Sequence, residues 1–292
     1  MAGLTPLPNL EEVKAEVIAR LMAAGIEAGE SRREAELIVK HVTGLSLAEQ
    51  VLRAGEPLDR EPLGVIAALS GERVKRVPLQ YCLGYAYFCG MKLTVRPGVF
   101  IPRVDTEILV EVACRRLSSL EAPSVADIGA GTGAVAIAIL ARVPDARLQA
   151  LDLSEVAVSL CRENALHIGV MDRLTVSLAD WRAALAYELD AIVSNPPYIP
   201  RSKKPELDPE VALYEPELAL FGDDEDGLRF YRELCTLAPA HLKPDGFIAV
   251  EVGDGQTQTV IDIFCEGRWR QVEVHEDLNK LPRVISARVP LR

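Results

Sequence analysis

The sequence predicts an α/β protein: a mostly parallel sheet of seven strands, preceded by a small helical domain and a β-hairpin linker. Three observations carry this. After Pro102, short apolar runs alternate with amphipathic stretches of helical period, the pattern of a parallel sheet covered on both faces. Before Pro78, three cap residues are each followed three positions later by Glu (Asn9 and Glu12, Ser31 and Glu34, Ser46 and Glu49), marking helix starts in quick succession. Between these regions Tyr81, Tyr85, Tyr87 and Phe88 crowd a segment in which Gly90 divides two short runs of strand formers.

Residues 1–78 are expected to form the helical domain. Its first helix places Leu10, Val13, Val17, Ile18 and Leu21 on one stripe and stops at Gly25, so that face must pack on neighbouring helices. A fourth helix is expected over about 62–75, with Pro78 closing the segment. Residues 79–100 form the hairpin linker, whose aromatics are better suited to sealing a domain junction than to an exposed surface. In residues 101–292 strands are expected over 125–128, 148–151, 174–178, 191–194, 247–252, 271–275 and 284–289. Helices are expected over 134–142, 155–168, 227–242 and 256–264. Residues 201–226, rich in Pro and acidic side chains, are expected to be a long loop over the sheet edge.

A length of 292 residues suits a large core with a smaller module appended. At 49% hydrophobic and 26% charged, the composition excludes a disordered chain or a disulfide-stapled miniprotein. The formal charge of −11 repels phosphate backbones and anionic lipids, so neither nucleic acid nor membrane is expected as a direct partner. The longest strictly apolar run, residues 134–141, is far short of the roughly 20 residues that span a bilayer. The N-terminus has neither a basic segment nor an apolar core of a secretory signal. Six scattered cysteines without a Cys-x-x-Cys pair, and four separated histidines, point to reduced thiols, a cytoplasmic location and no metal site. A monomer is expected.

The chemistry lies at strand ends. The strand ending at Asp127-Ile128 runs into Gly129-Ala130-Gly131-Thr132-Gly133 and then into an Ala/Ile-rich helix. Such a turn brings backbone N–H groups close to a ligand at the positive end of the helix. Its spacing differs from the dinucleotide fingerprint because position 134 is Ala, which argues against a pyrophosphate. Asp152 ends the next strand at about the offset where a carboxylate accepts from ribose hydroxyls; alternatively it begins the helix that follows. Together these imply an adenosine-bearing cofactor. At the third strand end, Asp180 could accept from an adenine amino group and Trp181 could cover the ring; without the first two elements Trp181 would be core. Asn195-Pro196-Pro197-Tyr198 follows the apolar strand 191–194, and its two prolines impose a rigid corner. A planar NH2 group, on a carbonyl or a ring, can be held there by the Asn195 side-chain oxygen and the Pro196 carbonyl. Tyr198 offers an aromatic face beside it, and the nitrogen lone pair faces an electrophilic methyl.

These motifs resemble the class I S-adenosylmethionine-dependent methyltransferases that act on planar nitrogen. Phe100-Ile-Pro102, Arg103-Val-Asp105-Thr106-Glu107 and Glu215-Pro216-Glu217-Leu-Ala219-Leu-Phe-Gly222 narrow the resemblance to the peptide chain release factor N5-glutamine methyltransferases, the HemK/PrmC family. The resemblance covers nearly the whole chain. It implies a Rossmann-like methyltransferase sheet, S-adenosylmethionine as cofactor, and release factors as protein substrates; the helical domain and aromatic hairpin are expected to dock that substrate, because a glutamine side chain alone offers little area for selection. It implies cofactor binding by Asp127, Gly129, Ala130, Gly131, Thr132, Gly133, Asp152, Asp180, Trp181 and Asn195. Catalytic roles fall to Asn195, Pro196 and Tyr198, and substrate contacts to these with Pro197, Phe100 and Arg103. Asn-Pro-Pro-Tyr also occurs in ribosomal-protein glutamine and nucleic-acid amino-group methyltransferases. The Asp105-Thr106-Glu107 context argues against the former, and the acidic charge against the latter. A nicotinamide oxidoreductase would have no need of the Asn-Pro-Pro-Tyr corner, and its intact Asn195 and Tyr198 disfavour a non-catalytic scaffold. Departures from the family pattern lie at 222–227 and 277–283.

Overall fold

The computed structural model describes residues 7–222, 225–277 and 279–290, which fall into two compact units. The first comprises the described residues up to 84 together with 209–214; the second holds 85–208 and the remainder from 215. Residues 1–6, where a leader was sought, and parts of both departures from the family pattern (223–224 and 278) lie outside the described residues.

The first unit is helical: Leu10–Ala23, Ala28–Thr43, Leu47–Leu52, Arg60–Val74, Leu79–Leu83 and Pro209–Tyr214. Capping boxes form at Asn9 with Glu12 and at Ser46 with Glu49, as their spacing predicts. The one expected at Ser31 with Glu34 does not. That helix begins at Ala28, and the Glu27 carboxylate accepts from the N–H groups of Gly29 and Glu30 at 2.7 and 3.0 Å. Ser31 is buried inside the helix, and Glu34 reaches the buried Arg73 at 2.8 Å. A Ser-x-x-Glu string is compatible with both arrangements, and the buried cation decides between them. Arg73 also pairs with Glu210 at 2.6 Å, as does Arg76. Glu210 belongs to a helix within the segment expected to be loop, where short helical turns occupy Arg201–Glu206, Pro209–Tyr214 and Glu217–Leu220. Residues 79–83 are likewise helical, so strand begins later than expected.

In the second unit β1 (Tyr85–Phe88) and β2 (Met91–Thr94) form an antiparallel hairpin. Phe88 enters the core while Tyr87 is 59% exposed. The large sheet comprises β3 (Ser124–Ile128), β4 (Arg147–Asp152), β5 (Leu174–Leu178), β6 (Leu189–Ser194), β7 (Leu242–Glu251), β8 (Arg270–Glu276) and β9 (Pro282–Arg288). Their order is β5-β4-β3-β6-β7-β9-β8, parallel from β5 to β7, with β9 antiparallel to both its neighbours. Two apolar layers cover it. On one face Leu109, Val110, Ala113 and Leu117 of helix Glu107–Leu117 join Ile137 and Leu140. On the other Tyr231, Leu234, Val260 and Phe264 pack together. Helix Glu107–Leu117 was missed in the sequence, although its apolar positions keep helical period. No helix among the described residues is long and apolar enough to cross a membrane.

The strand order reverses between β3 and β6, and in open α/β sheets ligands bind beyond the carboxyl ends of the strands at that point. Ile128 pairs with Ser194 in register. Gly129 and Asn195, the next residue on each strand, therefore leave the sheet side by side.

Candidate active site

The turn after β3 has left-handed backbone at Gly129, Gly131 and Gly133, with φ of 72, 56 and 80°. A Cβ on Gly133 would come 2.6 Å from Cys161 Sγ, so this position tolerates glycine alone. Gly129 and Ala130 donate their N–H groups to the Leu151 carbonyl at 2.8 and 3.1 Å, stitching the turn to β4. Asp152 completes the stitch: its two carboxylate oxygens accept from Gly131 N and Ser154 N at 2.8 and 2.9 Å. Each of those oxygens keeps a second lone pair for a ligand hydroxyl. Behind the turn, Asp127 is 2% exposed and accepts from Ala136 N at 3.1 Å. Burial, helped by the neighbouring Asp152 charge, pushes its pKa up to about 7.

The corner after β6 is braced from several sides. Ser194 donates its hydroxyl to the Ile128 carbonyl at 2.7 Å, locking β6 to β3 where the corner begins. Asn195 donates Nδ2 to Thr106 Oγ1 at 3.1 Å, which leaves Oδ1 to accept from a ligand. The Tyr198 phenol donates to Glu251 Oε1 at 3.1 Å. Burial and the Glu251 charge raise the phenol's pKa, so it remains a donor. Gln256 Nε2 donates to the Tyr198 carbonyl at 2.8 Å. Ile199 is tied by backbone hydrogen bonds to Leu220 and Gly222, carrying the chain on into the acidic segment.

Turn and corner open on one cavity of about 290 Å³. All the glycine-turn residues except Gly133 line it, with Asp127, Asp152, Asp180, Trp181, Asn195, Pro196, Pro197, Tyr198 and Phe100. Gly133 instead starts the helix behind. Trp181 is 8% exposed and packs on Phe230 with ring centroids 5.7 Å apart, so it is core and cavity wall at once. The Asp180 carboxylate caps its own helical turn and holds Arg182 at 2.7 Å, which lowers its pKa. Arg103 is not in the cavity lining. Its guanidinium pairs with the buried Glu215 and lies 4.8 Å from the Phe100 ring centroid, so it steadies Phe100 from outside. Glu215 also accepts from Ile101 N at 3.2 Å.

Sequence reasoning assigned no role to Thr106, Glu215 or Glu251. The first two stood in strings quoted for resemblance only. Glu251 carried a usable signal, as a lone carboxylate in the apolar run 247–252. The cavity suits an adenosyl sulfonium. It offers a carboxylate with free lone pairs at Asp152, a glycine turn with no side chain in the way of a close backbone approach at Gly129 and Gly131, and an apolar wall from Trp181 and Phe230.

The chain matches the family model "PrmC N-terminal domain" over residues 12–84 and "Methyltransferase small domain" over 90–208. The release factor glutamine methyltransferase of Geobacter sulfurreducens is 38% identical over 92% of this chain and 93% of its own length. That of Cereibacter sphaeroides is 37% identical over 94% and 96%. Among solved structures, a methyltransferase from Pyrococcus furiosus shares the fold, with a TM-score of 0.51, 15% identity, and coverage of 70% of this chain and 91% of that one.

Proposed function

The chain belongs to the release factor glutamine methyltransferase family, and from that premise we propose that its Asn195–Tyr198 corner grips a glutamine carboxamide for N5 methylation. The substrate is the glutamine of the Gly-Gly-Gln motif of a peptide chain release factor. S-adenosylmethionine supplies the electrophilic methyl as a sulfonium when bound. Asp152, Trp181 and the glycine turn would hold its adenosine portion.

An amide nitrogen is a poor nucleophile because its lone pair is delocalised, and a base of ordinary pKa does not deprotonate it. The protein's contribution is therefore positioning. Asn195 Oδ1 and the Pro196 carbonyl accept the two amide hydrogens, favouring the geometry in which nitrogen begins to pyramidalise. As the N–CH3 bond forms the S–CH3 bond breaks to leave a neutral thioether, and the cationic methylated amide, a strong acid, gives up one of those hydrogens to water. Tyr198 walls the amide, and Phe100, steadied by Arg103, lines the approach. The observation that carries this is the Asn195 amide, anchored through Nδ2 with Oδ1 left over, on the strand beside the glycine turn. The helical first unit docks the protein substrate, because one glutamine side chain offers too little area for selection. The net charge of −11 disfavours a nucleic-acid substrate. A cytoplasmic monomer suits that role.

The test is transfer of labelled methyl from S-adenosylmethionine to a purified release factor, run beside the same factor with its motif glutamine replaced. Label on the intact factor alone is expected. Equal labelling of both would remove the assignment.

A further inference from the structure

We infer that Glu251 is a positioning residue for methyl transfer, setting through Thr106 which atom of the Asn195 amide faces the cavity. The inference rests on Asn195 accepting from the substrate amide, as proposed above. An asparagine amide has nearly the same shape when flipped, so shape alone does not choose between presenting Oδ1 and presenting Nδ2. The choice is made by hydrogen-bond polarity. Nδ2 donates to Thr106 Oγ1 at 3.1 Å, and a hydroxyl that accepts there must send its single proton elsewhere. The acceptor we assign to it is the neighbouring Glu251 carboxyl, which still has an oxygen without a donor. Oε1 already accepts from the Tyr198 phenol at 3.1 Å, while Oε2 is buried without a partner of ordinary hydrogen-bond geometry. The Thr106 hydroxyl makes a looser approach to the same carboxyl.

An ionised carboxylate can only accept. With Glu251 in that form both hydroxyls point into it, and the chain from Asn195 through Thr106 to Glu251 runs in one direction. The fold keeps Glu251 in place for this. It ends β7, one residue beyond the pairing of Ser194 with Val250, and its carbonyl accepts from the buried Tyr231 phenol at 2.7 Å. Asp105 and Arg283, paired with each other at 3.3 Å, are near enough for their charges to act on the Glu251 carboxyl in opposite senses. Burial of this kind raises the carboxyl's pKa, opposed by the two hydroxyls and Arg283.

Glu251→Gln keeps the volume but adds an NH2 donor. That donor satisfies Thr106 Oγ1, turns the hydroxyl proton toward Asn195, and favours the flipped amide, which meets the substrate's N–H groups with its own. Glu251→Gln should lower kcat roughly 10- to 100-fold, the size of one hydrogen bond to a charged group, with S-adenosylmethionine affinity by calorimetry within about twofold. Thr106→Val should lose a similar amount, and Thr106→Ser, which keeps the hydroxyl, should recover most of it. The double variant Glu251→Gln with Thr106→Val should be no worse than either single change, because both cut one chain. Wild-type kcat in Glu251→Gln or Thr106→Val, or losses that multiply in the double variant, would overturn the inference. If Glu251→Gln does not fold, the Val and Ser variants of Thr106 decide alone. Asn195→Ala separates the two levels. Full turnover in it removes the role of Asn195 and the inference together. A crippled Asn195→Ala beside unaffected Glu251 and Thr106 variants removes only the inference.

Discussion

Gly227 lies directly behind the Asn195–Tyr198 corner that we propose grips the amide, and a single methyl group there should disable the corner without touching the glycine turn. Its φ is 72°, and a Cβ would stand 2.9 Å from the Tyr198 carbonyl carbon, closer still to the carbonyl oxygen, and 3.2 Å from Gln256 Nε2. Carbon contacts settle at about 3.5 to 4 Å, so Gly227→Ala requires the Tyr198 peptide to shift on the order of 1 Å. The left-handed backbone adds about 1–2 kcal/mol of strain. A misplacement of about 1 Å can cost on the order of 100-fold in turnover, close to 3 kcal/mol of barrier. Gly255 supplies the control. Its φ is 77° and nothing lies within 4 Å of its would-be Cβ, so Gly255→Ala carries the same strain without the collision. The assay is the initial rate of labelled methyl transfer to a release factor, with calorimetric titration of S-adenosylmethionine. Gly227→Ala should lose roughly 100-fold in turnover and keep its cofactor affinity within about twofold, while Gly255→Ala loses stability alone. Folded Gly227→Ala with wild-type turnover, or an equal loss in both variants, would refute the claim that corner geometry sets the rate.

Asn195→Ala should lower turnover by at least on the order of 100-fold with cofactor binding mostly intact, read by the same two assays. Asp127 makes stability fall with pH. Its folded pKa of about 7 lies above the ordinary value of 3.8, so between them the folded state holds a proton that the unfolded chain has released. The contribution is complete below the lower value and lost as pH rises through the upper one, on the order of 4 kcal/mol at most. Asp127→Asn should flatten that decline in melting temperature between pH 5 and 8; unchanged slopes in the apo protein would exclude Asp127 as its source. Arg73→Met should destabilise the first unit by about 3–5 kcal/mol, because it leaves Glu34 and Glu210 facing each other without their shared cation. A lower urea midpoint checks this, and a midpoint equal to wild type would show the cluster to be energetically idle.

What could be read in the sequence was what is chemically complete over a few consecutive residues. The glycine turn and the proline corner each fix their own backbone, and the alternation of apolar runs places both at strand ends. That alternation gives the parallel direction but not which strands are neighbours, so the Ile128–Ser194 pairing that brings turn and corner together came from the fold. The side chains that brace them escaped notice because each acts across a large sequence separation. Thr106 meets Asn195 from 89 positions away, and Tyr198 meets Glu251 from 53. No local period marks such a pair. Glu34 was misassigned for the same reason: its partner Arg73 lies 39 positions on, while Ser31 nearby offered a plausible local explanation.

The same long-range pairing changes how substrate docking by the first unit can be tested. Composition suggests a cut near Pro78, which would remove the helical domain and leave the catalytic sheet. Yet helix Pro209–Tyr214 belongs to that helical unit, with Glu210 held by Arg73 and Arg76 and the Tyr214 phenol donating to the Lys75 carbonyl at 2.7 Å. A cut at 78 takes away all three partners and strands a helix whose next residue, Glu215, holds Arg103 and the Ile101 N–H beside the cavity. Lost activity in such a truncation would report a displaced Glu215 as readily as a lost docking surface. Exposed positions of the first unit, such as Val51 and Leu52, at 71% and 85% exposure, can be altered without disturbing that cluster. Substitutions there that raise KM for a whole release factor while leaving kcat intact would belong to docking alone.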